Sequence, residues 1–150
     1  MLMLLMDTAG QEDYDTLLPM FYSGADIVII CYPYNSTAGR EEVYSRWVPE
    51  AKKKGIPFML VGIENNGDRG EGYDAMKLRI SFSALGSTLA KRVGAQSYVQ
   101  CDLQQIKEVN KLFENVIMLQ TTHPAGSLLI SFLEVDMQIH VRFACKPYER

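Results

Sequence analysis

The residues best suited to chemistry lie near the start of the chain, where an apolar run ends in a carboxylate. Asp7 follows residues 1–6, and Gly10 and Gln11 come shortly after it. An Asp at a strand end can hold Mg²⁺ or a Mg²⁺-bound water. A glycine brings a backbone N–H close to a phosphate oxygen, and a Gln can orient an attacking water. This spacing indicates phosphate–Mg²⁺ chemistry.

The hexapeptide Asp7-Thr8-Ala9-Gly10-Gln11-Glu12 resembles the second switch of small GTPases. Its continuation resembles the Rho/Rac family. The resemblance implies that Asp7 is the Mg²⁺-side acid, Gly10 the amide for the γ-phosphate and Gln11 the catalytic, water-positioning residue. It also implies GTP or GDP with Mg²⁺ as cofactors, and regulators or effectors of the Rho type as protein partners. The partner surface implied for the second switch comprises Asp13, Tyr14, Leu17, Leu18 and Tyr22.

Two loops that read the guanine base in that family carry different residues here. Thr-Lys-x-Asp of the family corresponds to residues 63–66, and Glu-Cys-Ser-Ala corresponds to residues 100–103. Glu64 puts a carboxylate where the family's Lys packs over the base. Asn66 presents an N–H donor at the position where the family's Asp accepts two N–H groups of guanine. Asp102 crowds the second loop, where Leu103 keeps only its backbone N–H. Facing one buried donor with another costs several kcal/mol, so these four nucleotide-binding positions are degenerate.

The phosphate-binding loop and the first switch are expected upstream of residue 1. No glycine is followed by Lys, so the pattern G-x-x-x-x-G-K-[ST] does not occur. Each charge-assisted phosphate contact contributes about 1.5–3 kcal/mol, and without them nucleotide affinity should collapse. We therefore expect no bound cofactor in the chain as given, and an idle Gln11.

The elements that would position these residues follow from hydrophobic periodicity. Apolar or β-branched runs predict strands, and 3.6-residue stripes predict helices. Strand–helix alternation predicts an α/β fold with a mostly parallel sheet, and the resemblance makes it P-loop-NTPase-like but incomplete. The predicted strands are 1–6, 25–32, 57–62 and 97–101, and the predicted helices are 16–22, 40–54, 84–93 and 105–119. In the last helix the predicted apolar face comprises Ile106, Val109, Phe113, Val116 and Ile117.

The family order holds through residue 122, which predicts a Rho-like domain over 1–122 and an unrecognised tail over 123–150. Within the tail, Leu128–Val135 and the alternating segment Met137–Phe143 predict a β-hairpin. In the family, the strand with the phosphate loop lies between those ending at Asp7 and Tyr32. Unpaired buried N–H and C=O groups are costly. We therefore expect the two strands to close up, the tail hairpin to insert, or a partner chain to add a strand.

Composition restricts the remaining possibilities. The 150 residues fit one domain, and a net charge of −3 argues against nucleic acid as a partner. Cys31, Cys101 and Cys145 show no metal-binding spacing, which is typical of reduced thiols in a cytoplasmic protein. Pro147 stands where a prenylated C-a-a-X box has its Cys, so no lipid anchor is expected.

Three interpretations stay open. The first is a truncated, diverged Rho-like pseudo-GTPase that acts as a nucleotide-independent interaction module. The second is part of an active, GTP-hydrolysing Rho-type GTPase, which the intact Gly10 and Gln11 favour. The third is a fragment that does not fold alone.

Overall fold

The computed structural model describes residues 2–8, 25–64, 73–120 and 127–134, with side chains over 25–64 and 74–119. Five strands in these segments are β1 (Leu2–Thr8), β2 (Ile27–Pro33), β3 (Phe58–Glu64), β4 (Tyr98–Asp102) and β5 (Ser127–Glu134). The helical segments are α1 (Thr37–Glu42), a π-helical turn (Val43–Trp47), α2 (Val48–Lys54), α3 (Tyr73–Val93) and α4 (Ile106–Gln120). The predicted helix 16–22 lies outside the described residues.

The described strands form one sheet in the order β1-β5-β2-β3-β4, and all four neighbouring pairs are parallel. The α/β, mostly parallel arrangement predicted from the alternation is confirmed. It agrees with a partial P-loop GTPase fold. Parallel strands place their carboxyl ends at one edge, where open α/β sheets bind ligands.

Strand β5 occupies the slot between β1 and β2. Its residues pair with all of β1 from Leu2↔Ser127 to Thr8↔Leu133, and with β2 from Ile27↔Ile130 to Cys31↔Glu134. Of the three expected ways of filling this slot, the insertion of tail residues agrees with the sheet order. The inserted part is 127–134, whereas the other half of the predicted hairpin, 137–143, lies outside the described residues.

Two apolar layers cover the central strands, because alternate residues of a strand point to opposite faces. Val28, Ile30 and Tyr32 face the layer of helices α1–α3, and Ile27, Ile29 and Cys31 face α4. All six are at most 4% exposed. This explains the continuous β-branched run of β2: both of its faces are buried.

The helix from Thr37 to Lys54 contains a π turn just before Pro49. Proline has no N–H to donate and its ring crowds the preceding turn. A π turn widens the helix locally and accommodates such an interruption. Trp47 in this turn is 2% exposed, and the Arg46 guanidinium lies 4.6 Å from its ring centroid. The helix ends at Gly55, whose φ of 68° suits a glycine C-cap.

Two predictions about helices were wrong in detail. Helix α3 begins at Tyr73 rather than at residue 84, since no proline interrupts 73–93 and the preceding residues join the predicted helix. In α4, Ile106 is 69% exposed instead of lying on the apolar face, and Leu112, 1% exposed, packs inward. Ile106 is the first residue of its helix, and its side chain faces solvent rather than the sheet.

Candidate functional site

The described site residues meet where β3 and β4 end. Glu64 and Asp102 are the last residues of their strands and pair in register. Leu103 follows directly and packs against the apolar layer on the α4 side. The structure therefore brings together three of the four positions predicted to be degenerate base-reading residues. Asn66, the fourth, lies outside the described residues.

A cation that the sequence did not single out lies at this corner. Arg79 of α3 places its Nε 3.0 Å from Glu64 Oε2 and one terminal nitrogen 2.8 Å from Glu108 Oε1. The same nitrogen lies 2.9 Å from Glu108 Oε2. Hydrogen bonding to Glu108 raises the pKa of Arg79 further. We call the set Glu64, Arg79, Asp102 and Glu108 the carboxylate corner.

Backbone and side-chain N–H groups donate hydrogen bonds to the Glu108 and Asp102 carboxylates. Glu108 Oε2 accepts the backbone N–H of Asp102 at 2.8 Å. The Asp102 carboxylate accepts the backbone N–H of Gln104 at 3.0 Å and the Nε2 of Gln105 at 2.9 Å. Asp102 is only 2% exposed. A buried carboxylate persists only when such donors compensate its desolvation. Gln104 and Gln105 directly precede α4, so these hydrogen bonds join the end of β4 to the start of α4.

Glu64 is held less completely. Its Oε2 is buried and accepts no hydrogen bond among the described residues, although Arg79 Nε is close. The distance makes this contact an ion pair, but the N–H is not aimed at the oxygen. The contact is therefore electrostatic and tolerant of small displacements.

The carboxylates of the corner already have partners within the chain. Arg79 pairs with both Glu64 and Glu108, and the Asp102 carboxylate accepts hydrogen bonds from Gln104 and Gln105.

Of the predicted phosphate-side residues, Asp7 lies in the described part of the chain. Asp7 lies near the end of β1 at the carboxyl edge of the sheet, paired in register with Phe132. Gly10, Gln11 and the partner-surface residues Asp13, Tyr14, Leu17, Leu18 and Tyr22 lie outside the described residues. Over the described segments, no group of three or more His, Cys, Asp or Glu side chains could hold a metal ion.

Cys101 lies beside the corner and is fully buried. Burial, reinforced by the nearby Glu108 and Asp102 carboxylates, raises the pKa of its thiol from 9.0 to about 12. Burial also raises the pKa of Tyr32 and Tyr98. Both described cysteines, Cys31 and Cys101, are buried and form no disulfide.

The raised pKa of Cys101 predicts a loss of stability in alkali. A group with a higher pKa in the folded chain contributes fully below its unfolded pKa, near 9, and loses that contribution as pH rises toward 12. Between pH 7.5 and pH 10, urea unfolding should show a fall of about 1 kcal/mol from this group. Cys101→Ala should lack that part of the fall, and an equal fall in both proteins would contradict the prediction.

Comparison with known proteins assigns the class. A sequence model of the Ras family matches residues 1–121. The chain belongs to the Ras family of small GTPases.

Among curated relatives, the chain is 36% identical over 116 residues to the GTP-binding protein RHO4 of Saccharomyces cerevisiae (strain ATCC 204508 / S288c). That match covers 75% of this chain and 38% of the relative. The chain therefore spans well under half of the relative's length. Within the residues that the structure describes, no helix is both long enough and apolar enough to cross a membrane.

Proposed function

We propose that the chain is a Rho-type member of the Ras family that acts as a nucleotide-independent interaction module. In this proposal, residues 1–122 form a diverged Rho-like domain, and residues 123–150 form an unrecognised tail. Members of the Ras family use GTP or GDP with Mg²⁺. The single observation that carries the proposal is Arg79 seated between Glu64 and Glu108, at the position where the family reads its base.

Electrostatics at the carboxyl edge support this proposal. The carboxylate corner has three carboxylates for one guanidinium. Two of its carboxylates stand at positions where the resembled family has a Lys and a Ser. A polyphosphate brings several negative charges to the same edge, and like charges repel.

The module would meet regulators or effectors of the Rho type through Asp13, Tyr14, Leu17, Leu18 and Tyr22. These residues match the resembled second switch in type and order. Their role is carried over by that resemblance. A cytoplasmic location belongs to the same proposal.

Thermal unfolding with and without excess GTP·Mg²⁺ tests the proposal. A ligand bound only by the folded state stabilises it by RT ln(1 + [L]/Kd), about 2.7 kcal/mol at a hundredfold excess over Kd. We expect an unchanged midpoint, and equal GTP turnover by the wild type and by Gln11→Ala. An upward shift of a few degrees with GTP, absent with an equal concentration of sodium sulfate, would refute nucleotide independence.

The second candidate function is that of one part of an active, GTP-hydrolysing Rho-type GTPase. The intact run from Asp7 to Glu12 and the 38% coverage of the GTP-binding relative favour it. Its test is an extended chain that supplies G-x-x-x-x-G-K-[ST] upstream. Hydrolysis that disappears on Gln11→Ala in that longer chain would support this candidate over the first.

A further inference from the structure

The contacts of Arg79 join three elements that are distant in sequence. Its side chain reaches from α3 to Glu64 at the end of β3 and to Glu108 in the first turn of α4. Glu108 lies 29 positions away and in turn accepts the N–H of Asp102 at the end of β4. Removing the guanidinium would therefore leave two carboxylates facing each other where two strands and two helices meet.

The burial of the three side chains is graded. The exposed fraction is 38% for the Arg79 side chain, 25% for Glu108 and 11% for Glu64. The two carboxylates are thus more buried than the guanidinium, and the site opens toward solvent on the Arg79 side. A small planar cation could enter from the side where Arg79 is exposed.

From these contacts we infer that Glu64 and Glu108 form a guanidinium-binding site, and that the chain's own Arg79 is its ligand. We expect the site to favour a cation that places two separate nitrogens against the two carboxylates over a single ammonium. One nitrogen serves both oxygens of Glu108 while Nε faces Glu64. Lysine has one compact ammonium and cannot reach both carboxylates in this way.

The chemistry also relates the site to base recognition. In the resembled family, a carboxylate accepts two N–H donors from the guanine edge. A guanidinium offers the same kind of donor edge with a full positive charge. Here the carboxylates beside the guanidinium are Glu64 and Glu108, whereas the family's accepting Asp corresponds to Asn66. This last comparison rests on the proposed function, whereas the guanidinium site itself rests on the contacts alone.

Chemical rescue tests the site in the full 150-residue chain. Arg79→Ala should lower the thermal midpoint by roughly 3–6 °C, since hydrogen bonds to charged groups are lost and the partly exposed ion pair adds little. About 20 mM guanidinium chloride, far below the molar range in which it denatures, should raise the midpoint of that variant by roughly 1–3 °C. The same concentration of sodium chloride should not, and neither salt should raise the midpoint of the wild type.

Matched variants separate the site from a general charge effect. Lys77→Ala removes an exposed cation from the same helix and should show no guanidinium rescue. Arg79→Ala combined with Glu108→Gln should lose the rescue. Arg79→Lys keeps the charge and a flexible stem, and should recover less than half of the lost midpoint.

Equal effects of guanidinium and sodium chloride on Arg79→Ala would overturn the inference. Rescue that survives Glu108→Gln would overturn it too. Full recovery by Arg79→Lys, which keeps a cation at the corner, would also overturn it. These outcomes are distinct from failure of the proposed function. A wild type stabilised by GTP would refute nucleotide independence, yet it would leave the guanidinium rescue to be decided by its own measurement.

Discussion

Replacing Ile130 by proline should lower the free energy of unfolding by about 3–4 kcal/mol and the midpoint by about 6–16 °C. Ile130 lies in β5 and pairs with Leu5 on one side and Ile27 on the other. Proline removes a ladder N–H and is tolerated almost only on edge strands. In a strand paired on both sides, the change breaks the sheet between β1 and β2.

Hydrogen exchange gives this prediction a local readout. Among the described strands, β1 pairs only with β5. Its amides, for example those of Leu4 and Met6, should lose protection in Ile130→Pro while β3 and β4 keep theirs. Ile130→Val keeps the N–H and the β-branch, and should cost about 1 kcal/mol. Equal melting of the two variants with β1 still protected would mean that β5 does not pair in this slot.

The second large effect is expected at Gly86 in α3. A Cβ built at this position would overlap the ring of Tyr98, with Cε2 at 2.5 Å and Cζ and the hydroxyl oxygen nearer still. Gly86→Leu should therefore destabilise the fold by about 3 kcal/mol, or about 6–12 °C in midpoint. Helix propensity alone predicts the opposite sign, because leucine is a far better helix former than glycine. The overlap outweighs that gain of up to ~1 kcal/mol.

Thr88→Leu is the matched control for Gly86→Leu. It introduces the same side chain two residues along, at an exposed position, and should change stability by less than about 0.5 kcal/mol. Combining Gly86→Leu with Tyr98→Ala should recover part of the loss, with a coupling of at least about 1 kcal/mol. Strict additivity of these two changes would contradict the packing of α3 directly onto Tyr98.

The sequence predicted best what depends on local pattern. A β-branched run predicts the strand Ile27–Pro33. Three lysines followed by a glycine predict the end of the helix at Gly55. Local pattern was insufficient at α3. The charge and glycine of residues 64–73 indicated a loop, and the following polar stretch lacked the clear apolar stripe that distinguishes α4. The tertiary contact of Gly86 with Tyr98 is invisible in such a pattern.

The candidate site was predictable only in part. Matching motifs located Glu64, Asp102 and Leu103, and the structure brings them together at one edge. Arg79 was missed because nothing in its neighbourhood signals a partner. The two carboxylates that pair with it lie 15 and 29 positions away, whereas the spacing rule for ion pairs applies within a helix. A predicted parallel sheet with α3 starting at Tyr73 would have supplied the missing signal.

The central position of β5 also has a consequence for the order of synthesis. Ser127, which pairs with Leu2, lies 125 positions later in the chain, so β1 is synthesised well before β5. At ribosomal rates of about 5–20 residues per second, that delay is on the order of 6–25 s. Contacts of such long sequence separation also slow folding after release. Throughout that interval β1 lacks the strand β5 that pairs with it, so this Ras-family chain should depend on holding chaperones more than a domain whose paired strands are close in sequence.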